Sequence, residues 1–220
     1  MYLRENPAMS RALFAKLAVM VAVVLAMSWA LALPRTAQAA APAAKVETAI
    51  FAGGCFWCME SDMKSIPGVV SVESGYTGGT LKNPKYEDVI TEKTGHYESV
   101  RVKFDPSKIT YRQLLYRYWK LVDPTDDKGQ FCDRGPSYRP AVFVSGPMQQ
   151  KVAEESRAAA ARNLKTGRMV TQILPATTFY PAEEYHRDFA KRHALQYEMY
   201  RTGCGRDARL AQVWGKANGG

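Results

Sequence analysis

From residue 96 to residue 104 the chain alternates: His96, Glu98, Val100, Val102 and Phe104 share one parity, and Ser99, Arg101 and Lys103 share the other. A period of two predicts a strand with one apolar face, and Glu98 lies on that face. Six residues on, the period changes. Leu114, Leu115, Tyr118, Trp119 and Val122 fall on one side of a helix, and Thr110 with Gln113 forms a capping box at its start. The same reading predicts strands at 46–52, 69–74, 141–145 and 170–174. It places helices at 55–65, 86–92 and 147–165, the last with Pro147 in its first turn. A glycine-rich turn is expected at 75–79, and an irregular loop holding Cys132 at 123–138. A mostly helical stretch follows at 181–200, then a glycine-rich tail holding Cys204. Strands and helices mixed in this way predict α+β or α/β, with one sheet covered by helices.

The N-terminal pattern is of another kind. Arg4, Arg11 and Lys16 precede an apolar run from 17 to 33 broken only by Ser28, and Ala37-Gln38-Ala39 follows. This reads as a secretory signal peptide over residues 1–39, cut near Ala39, with an uncleaved membrane anchor as the alternative. Residues 40–45 are an Ala/Pro linker, and 46–220 are expected to form a single catalytic domain. Export, to the periplasm by this reading, would place the four cysteines where disulfides are allowed.

Composition then removes classes. Hydrophobic residues are 46% and charged residues 23% of 220, ordinary values for a globular chain. The formal charge of +9 suggests a polyanion partner at first sight. Residues 1–39 carry +3 of it, and the +6 that remains is scattered among acids, as in 151–162. That is a solvated surface, and no nucleic-acid groove is expected.

The chemistry concentrates in Gly53-Gly54-Cys55-Phe56-Trp57-Cys58. A strand, two glycines and a cysteine at a helix start expose a nucleophile. The helix N-terminus there favours a thiolate. Cys58, one turn on, is within reach of an oxidised Cys55. Two other readings compete: a structural zinc site with Cys132 and Cys204, which lacks a second close pair, and a thioredoxin-like disulfide oxidoreductase. His186 and His193, seven apart on one expected helix, complete no metal set. No metal, flavin or nucleotide is implied.

Five stretches in order resemble the peptide methionine sulfoxide reductase A family. They are Gly54-Cys55-Phe56-Trp57, Gly75-Tyr76-Thr77-Gly78-Gly79, Thr94-Gly95-His96-Tyr97-Glu98, Asp133-Arg134-Gly135 with Ser137-Tyr138-Arg139, and Phe179-Tyr180-Pro181-Ala182-Glu183 with Tyr185-His186. The fold expected is α+β, a two-layer sandwich of flanking helices on a mixed sheet with a ferredoxin-like core. The resemblance implies reduction of methionine S-sulfoxide, protein-bound and free, through a sulfenic acid on Cys55. Glu98 supplies a proton, consistent with its place on the apolar face. Tyr76 and Tyr138 bind the sulfoxide oxygen, Phe56 and Trp57 wall the methyl group, and Asp133 orients the site.

Many members carry glycine at the position of Cys58 and resolve through a mobile C-terminal cysteine. Here Cys58 is expected to resolve Cys55, since that requires no loop movement. Cys132 and Cys204 then form a relaying or structural disulfide. Cys204 as the direct resolver is the alternative. An external thioredoxin-like or dithiol reductant is implied as electron donor, and the enzyme is expected to be a monomer.

Overall fold

The structure is a computed structural model that describes residues 45–215. The expected signal peptide over residues 1–39, its expected cleavage point and most of the expected linker lie outside the described residues. Strand β1 (Glu47–Ala52) leads into helix α1 (Phe56–Lys64), then β2 (Val69–Thr77), a short α2 (Tyr86–Val89), β3 (Tyr97–Phe104) and α3 (Tyr111–Trp119). Two-residue strands β4 (Gly129–Gln130) and β5 (Asp133–Arg134) pair in the long loop. Next come β6 (Ala141–Val144), α4 (Gly146–Ala161), β7 (Gln172–Pro175), β8 (Tyr180–Pro181), α5 (Phe189–Arg192), α6 (Ala194–Gly203) and α7 (Arg206–Trp214).

The main sheet runs β7-β6-β1-β3-β2-β8. All its neighbours are antiparallel except β6 and β7, which α4 joins as a parallel crossover. The sheet is therefore mixed and the class is α+β. Its inner four strands follow the β-α-β-β-α-β order, β6-β1-β3-β2 across the sheet.

Alternation decides the layers. Phe51, Val72, Val100, Val102, Phe104 and Val142 point to the face that Met59 and Met63 of α1, Leu114, Leu115 and Tyr118 of α3, and Ala153 of α4 cover. Ile50, Ala52, Tyr97 and Phe143 point the other way, where the chain from Leu174 to Phe179 packs over them. The predicted capping box is present: Thr110 Oγ1 accepts from Gln113 N at 3.3 Å, and Thr110 N donates to Gln113 Oε1 at 2.9 Å.

Three expectations change. The stretch 75–77 belongs to β2 and turns only after Thr77. Gly75 is needed for contact, since a Cβ there would lie 2.3 Å from the Tyr180 carbonyl of the neighbouring edge strand. The stretch 181–200 is broken into a 3-10 turn (Glu184–His186), α5 and α6, with Asp188 in the left-handed region at φ 53°, so His186 and His193 do not share a helix. Cys204 does not lie in a tail. It caps the C-terminal end of α6, and Gly205 (φ 62°) turns the chain straight into α7.

Candidate active site

Cys55 is the N-cap of α1. The two glycines before it let three segments meet. At Gly54 (φ +81°) a Cβ would fall 2.6 Å from the Gln130 Cβ, and at Gly53 one would fall 2.6 Å from the Met59 sulfur. The first helical amides are free to bind something else. Phe56 N–H donates to Glu98 Oε2 at 3.0 Å, and the Cys55 amide is close enough to the Asp133 carboxyl to lower its pKa. Two carboxyl groups thus sit at the positive end of α1.

Glu98 is 3% exposed. Burial pushes its carboxyl up to about 8; the Phe56 amide works against that, and the charge of Asp133 adds to it. At neutral pH this side chain holds a proton. Tyr76 lies directly opposite it in the β2–β3 ladder. The Tyr76 ring is fully buried, and its hydroxyl donates to Glu183 Oε2 at 2.8 Å. Glu183 is fixed in turn by Tyr86 N–H at 3.0 Å. Tyr138 ends a 3-10 turn that Glu92 holds through Ser137 N and Oγ, both at 2.8 Å. Burial and then Glu98 push its pKa up, and Tyr86 adds to this.

The aromatic floor is built across elements. Phe56 packs on Tyr76 at 5.8 Å and on His186 at 5.0 Å between ring centres. Trp57 stacks on Phe189 at 3.7 Å and meets the edge of Tyr200 at 5.9 Å. Trp57 Nε1–H donates to His186 Nδ1 at 3.1 Å, so the imidazole, whose pKa burial lowers, carries its proton on Nε2.

The expectation of a resting thiolate on Cys55 is not met. Cys55 is 7% exposed, and its burial opposes the helix terminus. Burial, then a hydrogen bond to Cys58, raise the Cys55 thiol well above its usual range. Coupling to Cys55 lowers the Cys58 thiol to about 7. Cys132 and Cys204 are bonded to each other across 72 residues of sequence, while Cys55 and Cys58 are free. The zinc reading loses two of its four thiolates to that bond.

Sequence reading missed Tyr200. Its hydroxyl donates to Asp133 Oδ2 at 2.5 Å. The signal was present in the spacing: Tyr200 and Cys204 are four apart on one helix, hence on one face, and Asp133 follows Cys132. Joining Cys204 to Cys132 brings that tyrosine and that carboxylate together. Tyr86 and Glu183 were missed as site residues for a different reason: only the fold brings them beside Tyr138 and Tyr76.

A family profile described as peptide methionine sulfoxide reductase matches residues 47–218. The chain is 67% identical over 193 residues to peptide methionine sulfoxide reductase MsrA 2 of Caulobacter vibrioides, covering 88% of this chain and 98% of that one. It is 50% identical over 175 residues to MsrA of Bacillus licheniformis, covering 79% and 97%. Among solved structures, methionine sulfoxide reductase A of Corynebacterium diphtheriae superposes with a TM-score of 0.61 at 31% identity, over 68% of this chain and 76% of that one. With the profile spanning residues 47–218, the chain belongs to the peptide methionine sulfoxide reductase A family and is by that membership an oxidoreductase.

Proposed function

We propose that Cys55 attacks the sulfur of methionine S-sulfoxide, protein-bound or free, and that Glu98 delivers the proton the departing oxygen needs. One observation carries this reading: a buried, protonated carboxyl and a cysteine sulfur share the N-terminus of α1, with Glu98 bonded to the amide next to Cys55. Tyr76 and Tyr138 supply hydroxyls for the sulfoxide oxygen, Phe56 and Trp57 hold the methyl group, and Asp133 orients Cys55 through its amide. Cys58, one helical turn from Cys55, is placed to take its proton as attack begins.

In the first half-reaction the substrate's S–O bond breaks and its sulfur is reduced, giving methionine and a Cys55 sulfenic acid. In the second, the Cys58 sulfur attacks the Cys55 sulfur. An S–S bond forms, the S–O bond breaks, and water leaves. Exchange with Cys132 and Cys204 passes the disulfide on, and an external thioredoxin-like dithiol reduces it. Each turnover consumes one dithiol and yields one methionine and one water. The disulfide at Cys132–Cys204 beside two free cysteines supports this order, since it is the state a completed relay leaves.

The apolar N-terminal pattern supports export to the periplasm after cleavage near Ala39, and with it repair of exported oxidised proteins. N-terminal sequencing of the exported protein tests the cleavage, and a start at residue 1 counts against it. The resolving step is tested by counting thiols lost per methionine in a single turnover. Cys58→Ser should fail to close the first disulfide, while Cys204→Ser should close it. The reverse pattern makes Cys204 the resolver.

A further inference from the structure

Arg206 opens α7 with its side chain 2% exposed. One amino group donates to the Leu121 carbonyl at 2.6 Å and lies 3.6 Å from the Met59 sulfur. The guanidinium stacks 4.4 Å from the centre of the Phe131 ring. Its Nε has no hydrogen-bond partner. Asp62 Oδ2 stands 3.8 Å from it, but Arg201 already engages that carboxylate at 2.9 and 3.1 Å. A cation buried without a counter-charge of its own is costly and needs a reason.

The reason lies on α1. Met59 adjoins Cys58, and Asp62 follows Cys58 by one turn on the same helix face. The guanidinium that meets both residues therefore lies against α1 within one turn of Cys58, which is itself 2% exposed. We propose that Arg206 is a positioning residue for the second half-reaction: its buried charge holds Cys58 as the thiolate that attacks oxidised Cys55. The proposal rests on the reading of Cys58 as resolver.

Other groups act on the same sulfur. Cys55 lowers the Cys58 pKa, burial opposes this, Arg206 and then Arg201 lower it, and Asp62 raises it. Tyr197 from α6 and Glu98 from β3 also face Cys58. Arg206 follows Cys204 by two residues, and Phe131 directly precedes Cys132, so the cation and the ring it stacks on both adjoin the relay cysteines. In the step concerned, the Cys58 thiolate forms the S–S bond and hydroxide leaves Cys55, taking a proton to become water.

The test uses the full chain, methionine sulfoxide and no external reductant. Methionine release and decay of the sulfenic acid, trapped with a 1,3-dione, are followed separately across pH. Arg206→Gln should slow disulfide closure about tenfold at pH 7 and raise its pH midpoint by about one unit, with a smaller effect on methionine release. Arg206→Lys should recover much of the rate, and Asp62→Asn should move the midpoint down. A wild-type midpoint in folded Arg206→Gln overturns the proposal. If that variant does not fold, an unmoved midpoint in Asp62→Asn overturns it. Closure at the wild-type rate in Cys58→Ser removes the resolver reading beneath it, an outcome distinct from either.

Discussion

Tyr76 and Glu98 stand opposite each other across the β2–β3 ladder, on the face that receives the N-terminus of α1. The pairing sets two side chains of different protonation demand side by side. The tyrosine is anchored to Glu183, and the glutamate is bonded only to a backbone amide by one oxygen. A proton held on Glu98 is therefore available to a ligand between them.

Replacing that acid separates catalysis from folding. Glu98→Gln keeps an acceptor for the Phe56 amide but cannot release a proton, so kcat should fall by about 10²–10⁴. Stability should move the other way at high pH. Because burial raises the folded pKa to about 8, the native state binds more protons than the unfolded chain between the ordinary carboxylate range and that value, and wild-type stability falls as pH rises through it. The Glu98→Gln protein lacks that loss, so its Tm at pH 9 should exceed wild type's. An equal pH slope in both proteins contradicts a raised Glu98.

The two phenols should act in the transition state. Tyr76→Phe and Tyr138→Phe each remove one donor to the sulfoxide oxygen and should each lower kcat about 10²-fold, with a smaller change in KM. Tyr76→Phe also frees Glu183, so its Tm should fall as well. Loss of KM alone would make them binding groups only.

Tyr200→Phe leaves the half-buried Asp133 carboxylate without its hydroxyl partner, a loss of about 1–3 kcal/mol in stability. The pKa of Asp133, already raised by burial, should rise further, and the acid limb of the pH–rate profile should shift up with it. Calorimetry and a pH profile on one preparation read both effects. An unmoved acid limb means Asp133 does not orient Cys55.

Much of this site was legible because it follows local rules. Glu98 on the inward face came from parity, and the strand 97–104 bears it out with Val100, Val102 and Phe104 beside it in the core. The capping box at Thr110 was equally local. What could not be read depended on tertiary contact. Gly75 resembled a turn glycine because glycine marks both turns and close approach, and only the edge strand at Tyr180 shows which. The thiolate expected at Cys55 weighed the helix end, which sequence shows, without the burial that opposes it. Cys204 seemed part of a tail because two glycines flank it, yet Gly205 serves as a hinge between two helices.

The Cys132–Cys204 link should hold more than a redox role. In the chain-entropy account a loop of this length stabilises the fold by about 4 kcal/mol, so Cys132→Ser should lower Tm under non-reducing conditions. It should also slow turnover with an external dithiol more than the first release of methionine. Equal losses in both would leave the pair structural only.

The central claim is that Cys55 is the nucleophile in methionine sulfoxide reduction. It is tested most directly by following loss of the separated S and R epimers of methionine sulfoxide with wild type and Cys55→Ser. The account predicts that wild type consumes the S epimer with one methionine formed per sulfoxide, and that Cys55→Ser consumes neither. Turnover of the S epimer by Cys55→Ser would contradict it.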